Sequence, residues 1–571
     1  MDNQLPKPTI VITSLIQGII LTLLYRSVEN QQWPATEPLW LTSLATLAIS
    51  LPLLTLLCIT KNNLKQTLKY LLPFTVLLSV LGGYVGYQQE PTEYVNNGVV
   101  IAIFIFTALI ASFKALMYIQ QFIGGEEISY SSLFKLSWRN FIIFGECWIF
   151  LGIFWGILQL GAGLFAILEI NFFKELLTKD WFVIPVLNLT FGFAIIVFRN
   201  IVHTVDNIAT ILQTLIKFLL PVLTVVSLGF LATLPFTGLA ALWKTGAGSL
   251  LVMWLQALTL FFVNAVYQDE SHQRPYKKVL HKLVFVGVAL LPIYSFISAY
   301  GIWLRVEQYG LSIDRCWAIL VCFLLASFSF GYFYGIIKKR DNWLETLSRV
   351  NIVMGMVVLG LVLLINSPVL NFQSISAKSQ LNRLTDGKVT YDNFDYQYFD
   401  RSLGRQGYLA LQQLKAQLKQ SHPDKKAMID RMYINHQNIQ KEEKKLASFE
   451  ALITYWPDKD LFPGSLLNAV FEEETRGEWT NYRSNNYYFI AQDLNGDNQV
   501  EYIIIKENNH STSGYMWSDL SGKWKHEYMP ISNPDKNRYL KEFLINDQVG
   551  VVEPKWKSLT IGSLTFNAPK D

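Results

Sequence analysis

The sequence has 571 residues, of which 51% are hydrophobic and only 16% are charged. This composition excludes an ordinary soluble protein of three or four domains, and it also excludes collagen, a coiled coil, wholesale disorder and a disulfide-rich secreted fold. The net charge of +4 gives no strongly basic surface, so no nucleic-acid partner is indicated. The composition therefore predicts a membrane protein whose first partner is the lipid bilayer.

The charged residues are distributed unevenly along the chain. Residues 1–371 contain 23 Lys and Arg and 18 Asp and Glu, whereas residues 372–571 contain 25 and 26. We therefore expect a polytopic α-helical membrane domain at 1–371, followed by a soluble α+β domain at 372–571. The four cysteines all lie in apolar segments, so we expect them to be core residues and not disulfides.

Eleven stretches predict membrane-spanning helices, because a bilayer core needs about 20 predominantly apolar residues whose backbone groups are satisfied within the helix. The predicted spans are 9–25, 39–60, 70–87, 98–119, 141–163, 181–198, 211–234, 249–267, 281–303, 316–337 and 350–366. Segment 235–248 is too short to span and too apolar for a plain loop, so it predicts a re-entrant or interfacial piece.

Lysine and arginine in the short connections predict the orientation of the chain. With eleven spans the termini lie on opposite sides, and 15 of these cations fall on the side of the N-terminus against 6 on the other. The positive-inside rule then predicts a cytoplasmic N-terminus. Residues 372–571 are expected in the extracytoplasmic space, which is the periplasm if the host is Gram-negative.

The C-terminal region predicts both helices and strands. An extended polar connection over 371–388 and an aromatic-rich stretch over 391–400 are expected first, followed by helices near 403–420 and 424–450. Short β-type runs follow, and together with the helices they predict a small α+β domain. These runs lie at 487–491, 500–505, 524–529, 549–552 and 558–561.

Four stretches carry a family resemblance. They are 234–246 (LPFTGLAALWKTG), 264–269 (NAVYQD), 308–317 (QYGLSIDRCW) and 394–407 (FDYQYFDRSLGRQG). Together they resemble the bacterial multi-pass membrane family catalogued as domain of unknown function 4153, over about 130–420 and more loosely in the tail. The resemblance implies an integral inner-membrane protein of bacteria with a hydrophilic C-terminal region, and it implies no established activity or substrate.

One loop has the pattern of a calcium site. Asp493, Asn495, Asp497 and Glu501 supply side-chain oxygens at positions 1, 3, 5 and 9, and such oxygens converge on hard cations such as Ca²⁺. The loop is not an EF-hand, because its sixth position is not glycine and no Glu stands at position 12. The alternative is an Asn-Gly hairpin turn with solvated acids.

Three ionisable residues inside or near the ends of spans predict an intramembrane polar cluster. Lys114 and Glu146 are expected at one depth in the antiparallel pair of the fourth and fifth spans, and Lys217 at a similar depth. Charge in hydrocarbon is costly and marks substrate or ion pathways. The alternative is that the lysines extend to the interface and one of them pairs with the carboxylate.

A second group of residues falls at the opposite, outer face. Cations beside aromatic residues at the headgroup level suit a lipid phosphate or a lipid-linked sugar, whereas interfacial anchoring and a loop salt bridge are the alternative. The candidates are Trp243, Lys244, Arg305, Asp314 and Arg315.

No catalytic residue is predicted, because the sequence lacks a phosphate loop, a zinc-protease motif, a nucleophile elbow and a dinucleotide fingerprint. The first hypothesis is a non-enzymatic sensing, docking or scaffolding protein, with an envelope lipid, glycan or protein as partner of the C-terminal domain. The second is a permease or lipid-handling carrier with a cavity near the polar cluster. The third is a membrane enzyme that acts on a lipid-linked substrate.

Overall fold

A computed structural model gives the fold of two compact units, Met1–Gln437 and Asn438–Asp571. Composition changes at 371/372, where the spans end, but the first unit also includes the helices that follow. The structure describes residues 5–95, 98–125, 127–239, 242–243, 247–268, 275–418, 422–423, 425–430, 432–433, 446–475, 485–494, 496–497, 499–507, 512–520, 523–529, 540, 544, 549, 559–561 and 564–566.

Helices make up the membrane part of the first unit. They are α1 (Lys7–Glu29), α2 (Pro38–Cys58), α3 (Leu64–Tyr87), α4 (Gly98–Gly124), α5 (Tyr130–Ile167), α6 (Phe172–Leu176), α7 (Asp180–Asn200), α8 (Val202–Thr237), α9 (Gly248–Val266), α10 (Lys278–Ala289), α11 (Leu291–Tyr309), α12 (Ile313–Lys339) and α13 (Trp343–Leu364). Within the described ranges, eleven segments are long and apolar enough to cross a membrane, with α10 and α11 forming one of them. The prediction of a polytopic helical membrane protein with eleven spans is confirmed.

The outer surface of these helices is apolar, as a bilayer requires. Phe106, Ile149 and Phe218 are 64%, 65% and 76% exposed, and in water such a surface would be unfavourable. Inside, helices approach closely at small residues: a Cβ added at Gly18 of α1 would lie 2.7 Å from Pro185 Cα of α7. The bundle is therefore packed for a lipid environment.

The ninth span is broken between α10 and α11. Pro292 stands in the first turn of α11, where its missing N–H and its ring interrupt a continuous helix after Leu290. At the other end of α11, Gly310 has φ +72° and its N–H donates to Val306 O at 2.8 Å. Glycine adopts this left-handed cap without strain, so α11 ends there.

Consecutive spans cross in opposite directions, so the connections fall on two sides. We call the side with residues 59–63, 125, 127–129, 201, 267–268, 275–277 and 340–342 the N-terminal side. We call the side with residues 30–37, 88–95, 168–179, 238–239, 247, 310–312 and 365–371 the C-terminal side. In segment 235–248, α8 continues to Thr237 and residues 242–243 are helical, while 240–241 and 244–246 lie outside the described residues. The re-entrant path stays a prediction.

Three helices follow the bundle and pack on its C-terminal side; we call them the juxtamembrane helices. They are α14 (Phe372–Thr385), α15 (Tyr396–Ser402) and α16 (Gly404–Leu418). The predicted helix near 403–420 is confirmed, but the expected extended connection over 371–388 is wrong. Asn371 caps α14 by accepting from Ser374 N at 2.9 Å, and a buried stripe that includes Phe372 and Leu384 gives that helix a packing face.

The juxtamembrane helices donate hydrogen bonds to backbone carbonyls at the C-terminal end of α11. Arg383 donates from Nη1 to Glu307 O at 3.2 Å and from Nη2 to Gln308 O at 2.6 Å, and Gln380 Nε2 donates to Tyr309 O at 2.9 Å. These carbonyls are the unpaired acceptors at the C-terminal end of α11, where a cation is favourable. These hydrogen bonds therefore satisfy the carbonyls that α11 leaves unpaired at its C-terminal end.

The second unit contains an α+β fold. Its elements are α17 (Leu446–Glu450), β1 (Ile453–Trp456), α18 (Gly464–Thr475), β2 (Asn486–Gln492), β3 (Glu501–Glu507), β4 (Thr512–Leu520), β5 (Lys523–Met529), β6 (Leu559–Ile561) and β7 (Leu564–Phe566). The five-stranded sheet has the order β1-β2-β3-β4-β5, in which β1 and β2 are parallel and joined through α18, and the other pairs are antiparallel. The predicted α+β class is confirmed.

Candidate functional site

A cavity of about 440 Å³ opens in the bundle between α4, α5, α9, α12 and α13. We call it the lateral cavity. Its α5 wall is built from residues at helical spacing, such as Tyr130, Phe134, Ser137 and Phe141, which lie on one face of the helix. The volume falls in the range of roughly 300–1,000 Å³ that is usual for small-molecule sites.

Aromatic side chains form most of the wall. Two of them, Phe141 and Phe261, are 63% and 52% exposed although both belong to membrane-spanning helices. The cavity therefore reaches the surface of the bundle at a level that faces lipid and not only the aqueous connections. The eight aromatic lining residues are Phe113, Tyr118, Tyr130, Phe134, Trp138, Phe141, Phe261 and Phe328.

A hydrogen-bonded group of amides and hydroxyls lies at the inner end of the cavity. Asn264 Oδ1 accepts from Tyr332 Oη at 2.7 Å and from Asn351 Nδ2 at 2.8 Å, and Tyr130 Oη donates to the Asn264 carbonyl at 3.0 Å. Tyr332 also contacts the Asn351 side-chain oxygen. Polar side chains in a bilayer are satisfied by other helices, so this group fixes α5, α9, α12 and α13 around the cavity.

Lys114 supplies the one cation among the residues that line the lateral cavity. In the described part of the chain its ammonium forms no hydrogen bond and no ion pair. Its neighbours in the wall, Phe113 and Met117, are apolar. An amphiphile with an acidic or carbonyl head is the ligand class that such a site suits, since the head meets Lys114 and the chain meets the aromatic wall.

The other two members of the predicted polar cluster lie elsewhere. Glu146 on α5 is not part of the cavity wall, and its Oε2 atom is buried without a hydrogen-bond partner. Lys217 on α8 is exposed, and its backbone carbonyl accepts from Tyr276 Oη at 2.6 Å. Among the described residues no ion pair joins Lys114 to Glu146, so only Lys114 of the three contributes to the lateral cavity.

The outer-face candidates lie on the C-terminal side, close to the juxtamembrane helices. Arg305 and Arg315 both approach the Tyr309 ring, at 5.8 and 5.3 Å from its centroid, and Arg315 Nη1 donates to Gly310 O at 2.8 Å. Asp314 lies in the first turn of α12. These contacts hold the loop that joins α11 to α12.

The remaining two outer-face candidates are neighbours within segment 235–248. Trp243 packs against α11, where its ring lies 6.3 Å from that of Tyr300 and leaves no room for a side chain at Gly301. Lys244 lies outside the described residues. Trp243, Arg305 and Arg315 are therefore engaged with the protein's own backbone and rings.

The predicted calcium loop joins β2 to β3. The register pairs Gln492 with Glu501, so eight residues separate the paired ends of the two strands, more than a tight two-residue hairpin turn contains. Asp493, Asp497 and Glu501 each place a carboxylate oxygen within 4.8 Å of the others, while Asn495 lies outside the described residues. Oxygens gathered in this way fit a hard cation that takes six to eight oxygen ligands.

Backbone amides help to form this loop. Asp493 Oδ1 accepts from Gly496 N at 2.7 Å, and Glu501 Oε2 accepts from Leu494 N at 2.7 Å. Gly496 has φ +79°, a conformation that glycine adopts at little cost. The chain therefore turns the three carboxylates toward one point by its own hydrogen bonds.

Sequence reasoning missed most of the lateral cavity. It identified Lys114 but not the aromatic wall or the amides Asn264 and Asn351. One signal was present in the sequence, because Asn264 begins the stretch 264–269 that carries the family resemblance. The other wall residues come from five helices, and only their packing brings them together.

Comparison with known proteins gives a family. A family model described as Domain of unknown function (DUF4153) matches residues 10–414, which begin in α1 and end in α16. The match thus covers the bundle and nearly all of the juxtamembrane helices. No curated protein and no solved structure matches the chain. Because the match extends over more than half of its length, the chain belongs to the family described as Domain of unknown function (DUF4153).

Proposed function

We propose that the protein is a non-enzymatic lipid-handling carrier of the bacterial cell envelope. The observation that carries this proposal is the lateral cavity, which opens on the lipid-facing surface and has aromatic walls. A water-soluble substrate would meet an apolar wall and an opening that faces hydrocarbon. A lipid or lipid-like molecule would enter directly from the hydrocarbon of the bilayer and would not have to pass through water.

The polar groups of the cavity define the ligand further. Lys114 offers an ammonium, and the Asn264 amide nitrogen has no partner in the described part of the chain. Both are donors, so the head of the ligand is an acceptor, either a carboxylate or a carbonyl. The ligand class is an amphiphile with one such head and an apolar chain.

Photo-crosslinking of the purified full chain tests this proposal. The probe is a fatty acid with a diazirine near the end of its chain, added to the protein in detergent micelles, and labelled peptides are identified by mass spectrometry. We expect label on the peptides of α4, α5 and α9 that line the cavity. Label spread evenly over all exposed spans would contradict a specific site.

Two matched pairs of variants sharpen the crosslinking test. Ser137→Trp fills the cavity, whereas Ile153→Trp adds the same ring on the same helix at a position that is 59% exposed. Lys114→Met removes the cation of the cavity, whereas Lys217→Met removes an exposed lysine from α8. We expect the first variant of each pair to lower the affinity for the fatty-acid probe about tenfold or more. The second variant should leave that affinity unchanged.

A second function, sensing or docking of an envelope component, is favoured by the juxtamembrane helices. Arg383, Arg405 and Tyr398 attach them to the loops on the C-terminal side, so a partner that binds this region would act directly on the ends of α3, α11 and α12. The partner would be an envelope lipid, glycan or protein. A calcium ion held by the 493–501 loop would have a structural role within the second unit.

Both functions assume an inner-membrane location, and the docking function also rests on a cytoplasmic N-terminus and a periplasmic C-terminal domain. The excess of 15 Lys and Arg against 6 supports this orientation. Fusing a reporter that is active only outside the cytoplasm after residue 371, and another after residue 571, tests it. Activity at both points is expected, and silence at both would place the C-terminal domain in the cytoplasm and overturn the docking function.

A further inference from the structure

A second cavity, of about 330 Å³, lies on the opposite face of α5 between α2, α4 and α7. We call it the arginine cavity. On α5 its wall follows Leu136, Arg139, Asn140 and Ile143, a spacing of three, four and seven residues that defines a single helix face. Neither function proposed above uses this cavity.

The wall of the arginine cavity combines apolar side chains with polar and cationic ones. Arg139 and Arg199 both line it, and the lining contains no Asp or Glu among the residues whose side chains are described. Asn140 is buried and exchanges hydrogen bonds with Gln120, through Asn140 Nδ2 to Gln120 Oε1 at 2.8 Å and Gln120 Nε2 to Asn140 Oδ1 at 3.3 Å. This amide pair fixes the wall between α4 and α5.

The two guanidinium groups are only slightly engaged with the protein. Arg199 Nη1 donates to Leu56 O at 2.6 Å, which uses one of its five N–H donors. Arg139 forms no hydrogen bond or ion pair within the described part of the chain. Two cations that share a half-buried cavity repel each other, and desolvation adds to the cost unless an anion compensates them.

We propose that the arginine cavity binds a phosphate-bearing anion through Arg139 and Arg199. Planar guanidinium groups form paired hydrogen bonds with phosphate oxygens, and two of them balance a dianion. The volume equals roughly ten waters at about 30 Å³ each, so the cavity holds a phosphate with part of an attached group. A carboxylate in the wall would oppose this ligand, and the described lining has none.

The position of the cavity restricts the source of the phosphate. Thr60 belongs to the connection 59–63 and Asn200 ends α7, so the cavity opens at the N-terminal side of the bundle. At this level a phosphate arrives either as a free ion or as the head group of an anionic lipid in the adjacent leaflet. Both sources present the same phosphate group to the arginines, and the experiment below distinguishes them.

Binding to the purified full chain tests the proposal with two probes. Inorganic phosphate is titrated into the protein in a nonionic detergent by isothermal calorimetry, and binding to phosphatidic acid is measured in nanodiscs that contain phosphatidylcholine and an increasing fraction of phosphatidic acid. Arg139→Gln removes the unengaged arginine without touching the contact between Arg199 and Leu56. Lys135→Gln, one turn earlier and exposed, removes the same charge from the same helix outside the cavity.

The expected result is that Arg139→Gln weakens binding about tenfold or more, because a charged hydrogen bond to phosphate is lost, while Lys135→Gln changes it less than about twofold. This pattern with inorganic phosphate identifies a free anion, and the same pattern only in nanodiscs identifies a lipid head group. Binding of neither probe, or equal effects of the two variants, would overturn the proposal. A readout of correct folding by size-exclusion chromatography accompanies both variants.

Discussion

Three arginines on the C-terminal side and two cations on the N-terminal side differ in what they bind. On the C-terminal side, Arg315, Arg383 and Arg405 donate to backbone carbonyls of loops or of a helix end. On the N-terminal side, Lys114 and Arg139 line cavities and form no hydrogen bond or ion pair within the described part of the chain. Residues of the same charge class therefore serve two purposes in one bundle.

The difference distinguishes structural cations from ligand-binding ones. A guanidinium whose N–H donors are already hydrogen-bonded to the protein's own oxygens stabilises the fold. A cation without a partner in a cavity destabilises the unliganded protein because it is desolvated, and a bound acceptor or anion offsets that cost. We therefore expect that removing the first kind lowers stability, and that removing the second kind lowers binding and leaves stability unchanged or raised.

The largest effect is expected at Arg405. Its guanidinium lies 4.1 Å from the centre of the Tyr87 ring, and it donates to Glu90 O and to Tyr87 Oη, each at 2.8 Å. Arg405→Ala should lower the free energy of unfolding by about 2–4 kcal/mol, measured in mixed micelles. Arg401→Ala, at an exposed position of α15, is the control and should change it by less than about 0.5 kcal/mol. Equal effects would remove the structural role of Arg405.

Calcium should stabilise the protein by a comparable amount. At a free Ca²⁺ concentration of about 100 times the Kd, binding to the native state adds roughly 2.7 kcal/mol. Thermal unfolding of the full chain should therefore shift upward on adding Ca²⁺, and the shift should disappear in the double variant Asp493→Ala and Asp497→Ala. No shift in the unmodified protein would contradict a calcium site in the 493–501 loop.

A smaller effect is expected at Tyr398, which joins two of the stretches that carry the family resemblance. Its hydroxyl accepts from Ile313 N, an otherwise unpaired amide of the first turn of α12, at 2.9 Å, and it contacts Ser376 Oγ at 3.0 Å. Tyr398→Phe should cost about 1 kcal/mol at neutral pH. Denaturation of the variant beside that of the parent protein measures this difference.

The same residue predicts a dependence on alkaline pH. Burial raises the pKa of Tyr398, so the folded protein holds the phenol proton more tightly than the unfolded chain, in which the pKa of tyrosine is about 10. The associated stability is fully present below about pH 10 and is lost as the pH rises through the raised value. Tyr398→Phe should make the fall of the unfolding free energy with pH above pH 10 less steep. An unchanged slope would mean that Tyr398 does not contribute to that fall.

The smallest effect, and one of opposite sign, is expected at Lys114. Replacing an unpaired ammonium in an aromatic cavity by an apolar side chain removes its desolvation cost. Lys114→Met should leave the unfolding free energy unchanged or raise it by up to about 1 kcal/mol, measured in the same mixed micelles. A loss of more than about 1 kcal/mol would mean that Lys114 is structural and would end the contrast with the C-terminal side.

The sequence predicted the elements whose signal is local. The eleven spans follow from runs of apolar residues, and the strands at 486–492 and 501–507 follow from β-branched and aromatic content. Helix α14 was missed because its sequence is polar and its packing face is recognised only against the bundle. Strand β4 was missed because Thr512, Ser513 and Gly514 weaken the strand pattern, and its pairing with β3 and β5 overrides that local preference.

The candidate sites depend on contacts that a linear pattern does not contain. The polar cluster of Lys114, Glu146 and Lys217 was inferred from equal depth, but depth leaves the rotation of each helix undefined. The outer-face arginines were grouped by their position in the chain, whereas the carbonyl that Arg315 binds comes from the fold of the loop after α11. Asp493, Asp497 and Glu501 lie close together because their spacing falls within one short loop.

A density map of the full chain in nanodiscs made from its native membrane tests the central claim most directly. We predict elongated density in the lateral cavity, with its polar end within hydrogen-bonding distance of Lys114 Nζ and its apolar part along Phe141 and Phe261. A cavity that contains only ordered water, or one closed by the aromatic side chains, would contradict the proposal that the protein binds a lipid there.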